Sequence, residues 1–356
     1  MKRRHFLAVL GAACGPSLGR AQNPARHALM TFPDENGAWQ PVRTVADWAR
    51  RRRAILTAMQ DIMGPLPGAG KRCPLDVQVR EEVDTGKVVR RAITYASEPG
   101  SRVPAYLLIP KRLLEQPATK AAAVLCLHPT DNVNGCKVVV GLGGKEHRQY
   151  ASELAERGFV TLAPAYPLLA DYQPDLAAFG YVSGTMKAIW DNMRGLDLLD
   201  SLPFVRGGSY GAIGHSLGGH NSVYSAVFDD RIKAVVSSCG LDSFTDYMGG
   251  NITGWTSARY MPRLAEFKGR SGETPFDFDE LLAALAPRPV MLNAPLRDTN
   301  FRAASVDRVV AAAREVYALS GAPDALVVQH PDSTHDFPDE VRESAYGFLS
   351  KALAAD

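Results

Sequence analysis

Three residue types acting in series can open an ester: a serine hydroxyl, an imidazole and a carboxylate. The sequence offers them at Ser216, His335 and Asp298. Ser216 lies in "AIGHSLGGH", between Gly214 and Gly218. A G-x-S-x-G spacing suits a sharp strand-to-helix turn, because glycine lets the backbone bend where a side chain would collide. A serine hydroxyl is a weak nucleophile until a base takes its proton. Histidine can take that proton and later hand it to a leaving group. A carboxylate fixes the imidazole tautomer and stabilises its charged form.

The elements that must position these side chains are legible as alternating runs. "AAAVLCL", "FVTLAP", "YGAIG", "IKAVVSSC", "PVMLN" and "ALVVQH" read as strands, and helical spacing separates them. The expected helices cover residues 146–157, 184–202, 279–286 and 304–319, one behind Ser216, and a last one carrying Val341, Ala345, Phe348 and Leu349. Strands alternating with helices argue for a mostly parallel sheet covered on both faces. In such sheets the working loops lie beyond the carboxyl ends of the strands. Ser216 follows "YGAIG", Asp298 follows "PVMLN" and His335 follows "ALVVQH". The order Ser, Asp, His then runs down the chain.

Two rivals stand beside these residues. His330 also lies near the last strand but reads as its end. Asp242, after "IKAVVSSC", is the alternative acid. A tetrahedral intermediate needs two backbone N–H groups. Leu217 supplies one candidate, and the loop "HPTDNVNG" after "AAAVLCL" supplies Thr130, since Pro129 has no N–H. His128 is read either as orienting that loop and meeting substrate or as a buried, hydrogen-bonded residue.

The N-terminal stretch "MKRRHFLAVLGAACGPSLGRAQ" has a basic start, a short apolar run and small residues before a cut, so residues 1–21 are expected to be a signal peptide. Arg3 and Arg4 suggest the twin-arginine route, with the Sec route as the alternative. The expected product is exported, periplasmic or secreted, with no integral membrane segment in the mature chain. Residues 22–70 read as an N-terminal arm with a helix over 44–63, and three strands follow, in "VQVREEV", "VVRRAITYAS" and "VPAYLLIP". Residues 71–356 read as one catalytic domain with an irregular insertion over 240–275.

Of the 356 residues, 46% are hydrophobic and 22% charged, and the net charge is +2. That balance points away from nucleic acid and anionic membranes as partners. Cys73, Cys126, Cys136 and Cys239 show no metal-binding spacing, so neither metal nor cofactor is expected.

"GHSLGGH", "HPT", "PLRDTNF" and "HDFPDEVRESAYGFL", with the N-terminal "MGPLP" and "ITYASEPGSRVPAYLLIPKRL", resemble bacterial α/β-hydrolases of the dienelactone hydrolase and acetyl xylan esterase-like group. The resemblance covers most of the chain. It implies an α/β-hydrolase fold and a metal-free serine carboxylesterase with Ser216, Asp298 and His335 as its triad. Dienelactone hydrolases use a cysteine nucleophile, and glucuronoyl esterases carry an arginine soon after the serine, where this chain has Leu217.

The expected substrate is a small or carbohydrate-linked ester. Residues 240–275 are long for a loop and carry Trp255, Tyr260 and Met261. With Tyr166, Tyr172, Tyr181 and Trp190 they offer aromatic faces for a sugar or aryl group. Trp255, Tyr260, Tyr166 and His128 are the candidate substrate contacts. A prolyl-oligopeptidase-like peptidase shares the elbow but brings a large extra domain. A non-catalytic binding protein would leave the triad without purpose.

Overall fold

A computed structural model describes residues 28–116 and 118–354. The expected signal peptide, residues 1–21, lies outside the described residues, as does the start of the N-terminal arm.

A short hairpin, β1 (Thr31–Pro33) and β2 (Trp39–Pro41), leads into α1 (Val45–Met63). Thr44 and Asp47 start that helix as a reciprocal cap: the Thr44 hydroxyl accepts the Asp47 N–H, and Asp47 accepts the Thr44 N–H. Trp48, Ile55, Met59 and Ile62 form its buried stripe. Arg51 pairs with Glu280, and Arg52 donates to the carbonyls of Val227 and Ala284 at 2.9 and 3.0 Å, so α1 is tied to the main body.

The main sheet follows in β3 (Gln78–Asp84), β4 (Val88–Glu98), β5 (Ser101–Pro110), β6 (Ala121–Leu127), β7 (Val160–Pro164), β8 (Val205–His215), β9 (Ile232–Ser238), β10 (Val290–Asn293) and β11 (Leu326–Gln329). Between and after them lie α2 (Lys111–Glu115), α3 (Tyr150–Glu156), α4 (Gly184–Asp200), α5 (Leu217–Phe228), α6 (Phe278–Ala283), α7 (Ala303–Leu319) and α8 (Asp339–Ala352). The spatial order is β11-β10-β9-β8-β6-β7-β5-β4-β3. From β7 to β11 every pairing is parallel; β3, β4 and β5 add an antiparallel edge.

Every residue of β6 and β7 is buried, as their unbroken apolar runs require when helices cover both faces. One core holds Trp190 of α4, Tyr224 of α5, Leu281 of α6 and Val309 of α7. A second core on the other face holds Tyr150 and Leu154 of α3 and Tyr346 and Leu349 of α8. The mostly parallel sheet with helices on both faces is therefore present.

One element departs from the sequence reading. The helix expected over 146–157 begins only at Tyr150. Gly141, Gly143, Gly144 and His147 all have positive φ, which a right-handed helix cannot accommodate. Residues 141–149 therefore form a loop. Residues 240–275 contain short 3₁₀ turns at Tyr247–Gly250, Ile252–Trp255, Pro262–Phe267 and Ser271–Glu273.

Candidate active site

Ser216 stands between β8 and α5 with φ of 55°, in the left-handed region that a non-glycine residue adopts at a cost of about 1–3 kcal/mol. Its neighbours make that turn possible. A Cβ on Gly214 would run into the backbone of Gly218, and one on Gly218 would overlap the carbonyl of Leu127 at the end of β6. The Ser216 N–H donates to the Ser238 carbonyl at 2.8 Å, which fixes the elbow against β9.

His335 and Asp298 meet over 2.8 Å, Nδ1 to Oδ2. An ionised carboxylate only accepts, so Nδ1 carries the proton and Nε2 keeps its lone pair. The other Asp298 oxygen accepts the N–H groups of Asn300 and Phe301 at 2.8 and 3.2 Å. Burial favours the neutral acid, but the His335 bond and these two N–H groups outweigh it and hold the carboxyl below the usual range.

Asp242 lies elsewhere. It is buried, accepts only the Arg302 N–H at 3.2 Å, and its Oδ1 has no partner. Burial, reinforced by the charges of Asp246, Asp277 and Asp298, pushes its pKa up to about 7. His330 bonds the Ala294 carbonyl and Asp307, so its ring is committed outside this pair.

A cleft of about 120 Å³ brings Ser216 and His335 together with Pro129, Thr130, Asp131, Val138, Lys145, Arg148 and His215. Leu217 is the first residue of α5, where backbone N–H groups have no partner within the helix. Thr130 is exposed on the facing wall, and its hydroxyl meets the Tyr260 hydroxyl at 3.1 Å.

Three expected substrate contacts need correction. His128 is buried; its Nε2 accepts the Tyr166 N–H at 2.9 Å, so its Nδ1–H donates to the Pro129 carbonyl at 2.8 Å. Burial lowers its pKa to about 4, and the neutral ring pins two loops together rather than meeting substrate. Tyr166 is buried as well, with its hydroxyl on the Arg259 carbonyl and Thr185. Trp255 is 3% exposed and packs among Phe244, Tyr247, Phe278, Phe301 and His220. It offers no open stacking face. Tyr260 alone of the four is partly exposed.

Several residues at the site had not been singled out. Asn293 donates to the Ser238 hydroxyl at 2.8 Å and to the Asp336 carbonyl at 2.9 Å. His215 meets the same Ser238 hydroxyl at 2.9 Å. Since His215, Ser238 and Asn293 are register partners, they form a polar row across the ends of β8, β9 and β10, directly under the loop of His335. Arg148 is nearly buried; it pairs with Asp336 at 2.6 Å and donates to the His335 carbonyl at 3.4 Å. Asn293, Ser238 and His215 shared one sequence signal, a polar residue ending an apolar strand.

Cys239, Asp298 and His335 have donor atoms within 4.8 Å of one another. The Cys239 thiol donates to the Asp336 carbonyl at 3.2 Å, and burial with the nearby Asp298 charge keeps it protonated. A protonated thiol is a poor metal ligand. All four cysteines among the described residues are free.

The fold, a mostly parallel sheet with helices on both faces, is of the α/β-hydrolase type. A glucuronoyl esterase from Solibacter usitatus superposes with a TM-score of 0.74 at 18% identity, covering 94% of this chain and all of that one. A CE15 glucuronoyl esterase from Teredinibacter turnerae T7901 gives 0.68 at 15% identity, covering 93% and 90%. At the level of sequence, the Bacillus subtilis (strain 168) protein named "Putative hydrolase YtaP" is 26% identical over 316 residues, 86% of this chain and 99% of its own. No protein-family model matches the chain.

Proposed function

We propose that the protein is a serine carboxylesterase acting through an acyl-enzyme on small or carbohydrate-linked esters. The observation that carries this reading is the His335–Asp298 bond beside a serine held on a left-handed elbow, with Ser216 and His335 opening on one cleft. Ser216 Oγ attacks the ester carbonyl while His335 Nε2 takes its proton. The N–H groups of Leu217 and Thr130 receive the oxyanion, helped by the positive end of α5. His335 then protonates the leaving alcohol, and water repeats the sequence to release the acid. Asp298 holds the imidazole in the required tautomer throughout.

The similar proteins include esterases and a hydrolase by name, which supports the same reading. No helix among the described residues is long and apolar enough to cross a membrane. We infer export from the N-terminal signal pattern, with residues 22–70 as an arm on the catalytic domain. The test is hydrolysis of acetyl, aryl and glucuronoyl esters beside peptide amides. Turnover of one ester class, abolished by Ser216→Ala with the fold intact, is expected. Turnover of none would overturn the reading.

A further inference from the structure

We propose that the site selects esters whose leaving alcohol bears a negative charge, such as the O-acetyl ester of a hydroxy acid or an acidic sugar, and that Lys145 makes the selection. This rests on the esterase reading above.

The charges that line the cleft are unequally committed. Asp131 is turned to its own loop, where it accepts the N–H groups of Val133 and Asn134 at 2.9 and 2.7 Å. Arg148 is spent on Asp336 and on the carbonyls of Glu146, His147 and His335. His215 is buried and neutral: burial lowers its pKa most, and the charges of Arg148, His335 and Lys145 lower it further. Lys145 is exposed and has no hydrogen bond or ion pair with the described residues. Among the described residues that line the cleft, its ammonium is thus the cation with no partner, and it lies near enough to His215, the residue next to the nucleophile, to disfavour a charge there.

The chain places this lysine deliberately. Gly143 and Gly144 have left-handed φ, and a Cβ on Gly144 would overlap Val138, itself a wall of the cleft. The loop therefore folds tightly over Val138 and presents Lys145 at the rim.

The same loop identifies which half of the ester faces the lysine. His147 meets Asp336 at 2.8 Å, and Arg148 reaches the His335 carbonyl, so residues 145–148 stand against the loop of the base. The base must protonate the departing oxygen, so the leaving alcohol lies on that side. A lysine is a mobile, hydrated point charge with no fork to match a planar partner. It selects charge more than shape.

The experiment compares para-acetoxybenzoate with para-acetoxybenzamide. They share the acetyl group and the ring and differ in charge on the leaving phenol. Each kcat/KM is divided by the hydroxide rate constant of the same ester. The corrected ratio of benzoate to benzamide is expected to be about fivefold in the wild type at low salt, near the upper end for an exposed charge pair. It should fall toward one in Lys145→Gln, recover in Lys145→Arg, and shrink at about 1 M salt, where charges are screened beyond about 3 Å. A wild-type ratio of one or less, or one that Lys145→Gln leaves unchanged, overturns the proposal. Turnover of benzamide without a charge preference overturns it alone. Turnover of neither ester, nor of any other ester, overturns the esterase reading beneath it.

Discussion

Asn293 reaches from the end of β10 to the backbone carbonyl of Asp336, 2.9 Å away and one residue past His335. The same amide nitrogen also holds Ser238 at the end of β9. A strand-end side chain thus fixes the height of the loop that carries the base. Asn293→Ala should lower kcat by about ten- to a hundredfold with little change in KM, because small displacements of a catalytic group cost that much. Steady-state kinetics beside a circular dichroism spectrum would check this. A raised KM at unchanged kcat would assign Asn293 to binding instead.

The elbow makes a prediction about glycines. Gly218→Ala would press a methyl group into the Leu127 carbonyl, so the variant should lose activity and fold poorly. Gly347 lies inside α8 with nothing near its missing Cβ. Gly347→Ala should therefore raise stability by about 0.5–1 kcal/mol and leave turnover alone. Denaturant melts of both variants measure the contrast.

Asp298→Asn should slow ester hydrolysis by about 10⁴, since an amide cannot enforce the tautomer that leaves Nε2 free. Asp242→Asn should cost far less, because Asp242 bonds the Arg302 N–H rather than His335. Equal losses in kcat/KM would leave the acid unassigned between them.

Asp242 also has a pH signature. Its pKa is raised from 3.8 to about 7, so the folded state holds a proton that the unfolded chain releases. Between those values the unfolded state binds fewer protons, and stability falls as pH rises. Above about pH 7 both states are ionised and the full penalty remains. Asp242→Asn removes that penalty, so its stabilisation relative to wild type should be larger at pH 8 than at pH 4. Thermal melts at the two pH values test the sign.

The sheet was legible because its strands are buried on both faces and read as unbroken apolar runs, "AAAVLCL" above all. Ser216, Asp298 and His335 could be picked out because strand ends are where an α/β fold gathers its loops. Burial was not legible residue by residue. Nothing in the types of Tyr166, His128 or Trp255 says whether a ring faces a cleft or a core; the packing of 240–275 and the neighbouring loops decides it. The start of α3 was hidden for a local reason. Residues 146–149 have helical composition, but a positive φ at His147 and the preceding glycines hold them in a loop, and that loop carries Lys145 and Arg148 into the site.

The central claim is that Ser216 is a nucleophile activated by His335. A labelled fluorophosphonate reacts with such a serine and leaves ordinary hydroxyls alone. Peptide mapping after brief exposure should find the label on Ser216, with the rate of labelling reduced at least about a hundredfold in His335→Ala. An unlabelled Ser216 in the folded wild-type protein, or equal labelling without His335, would contradict the account.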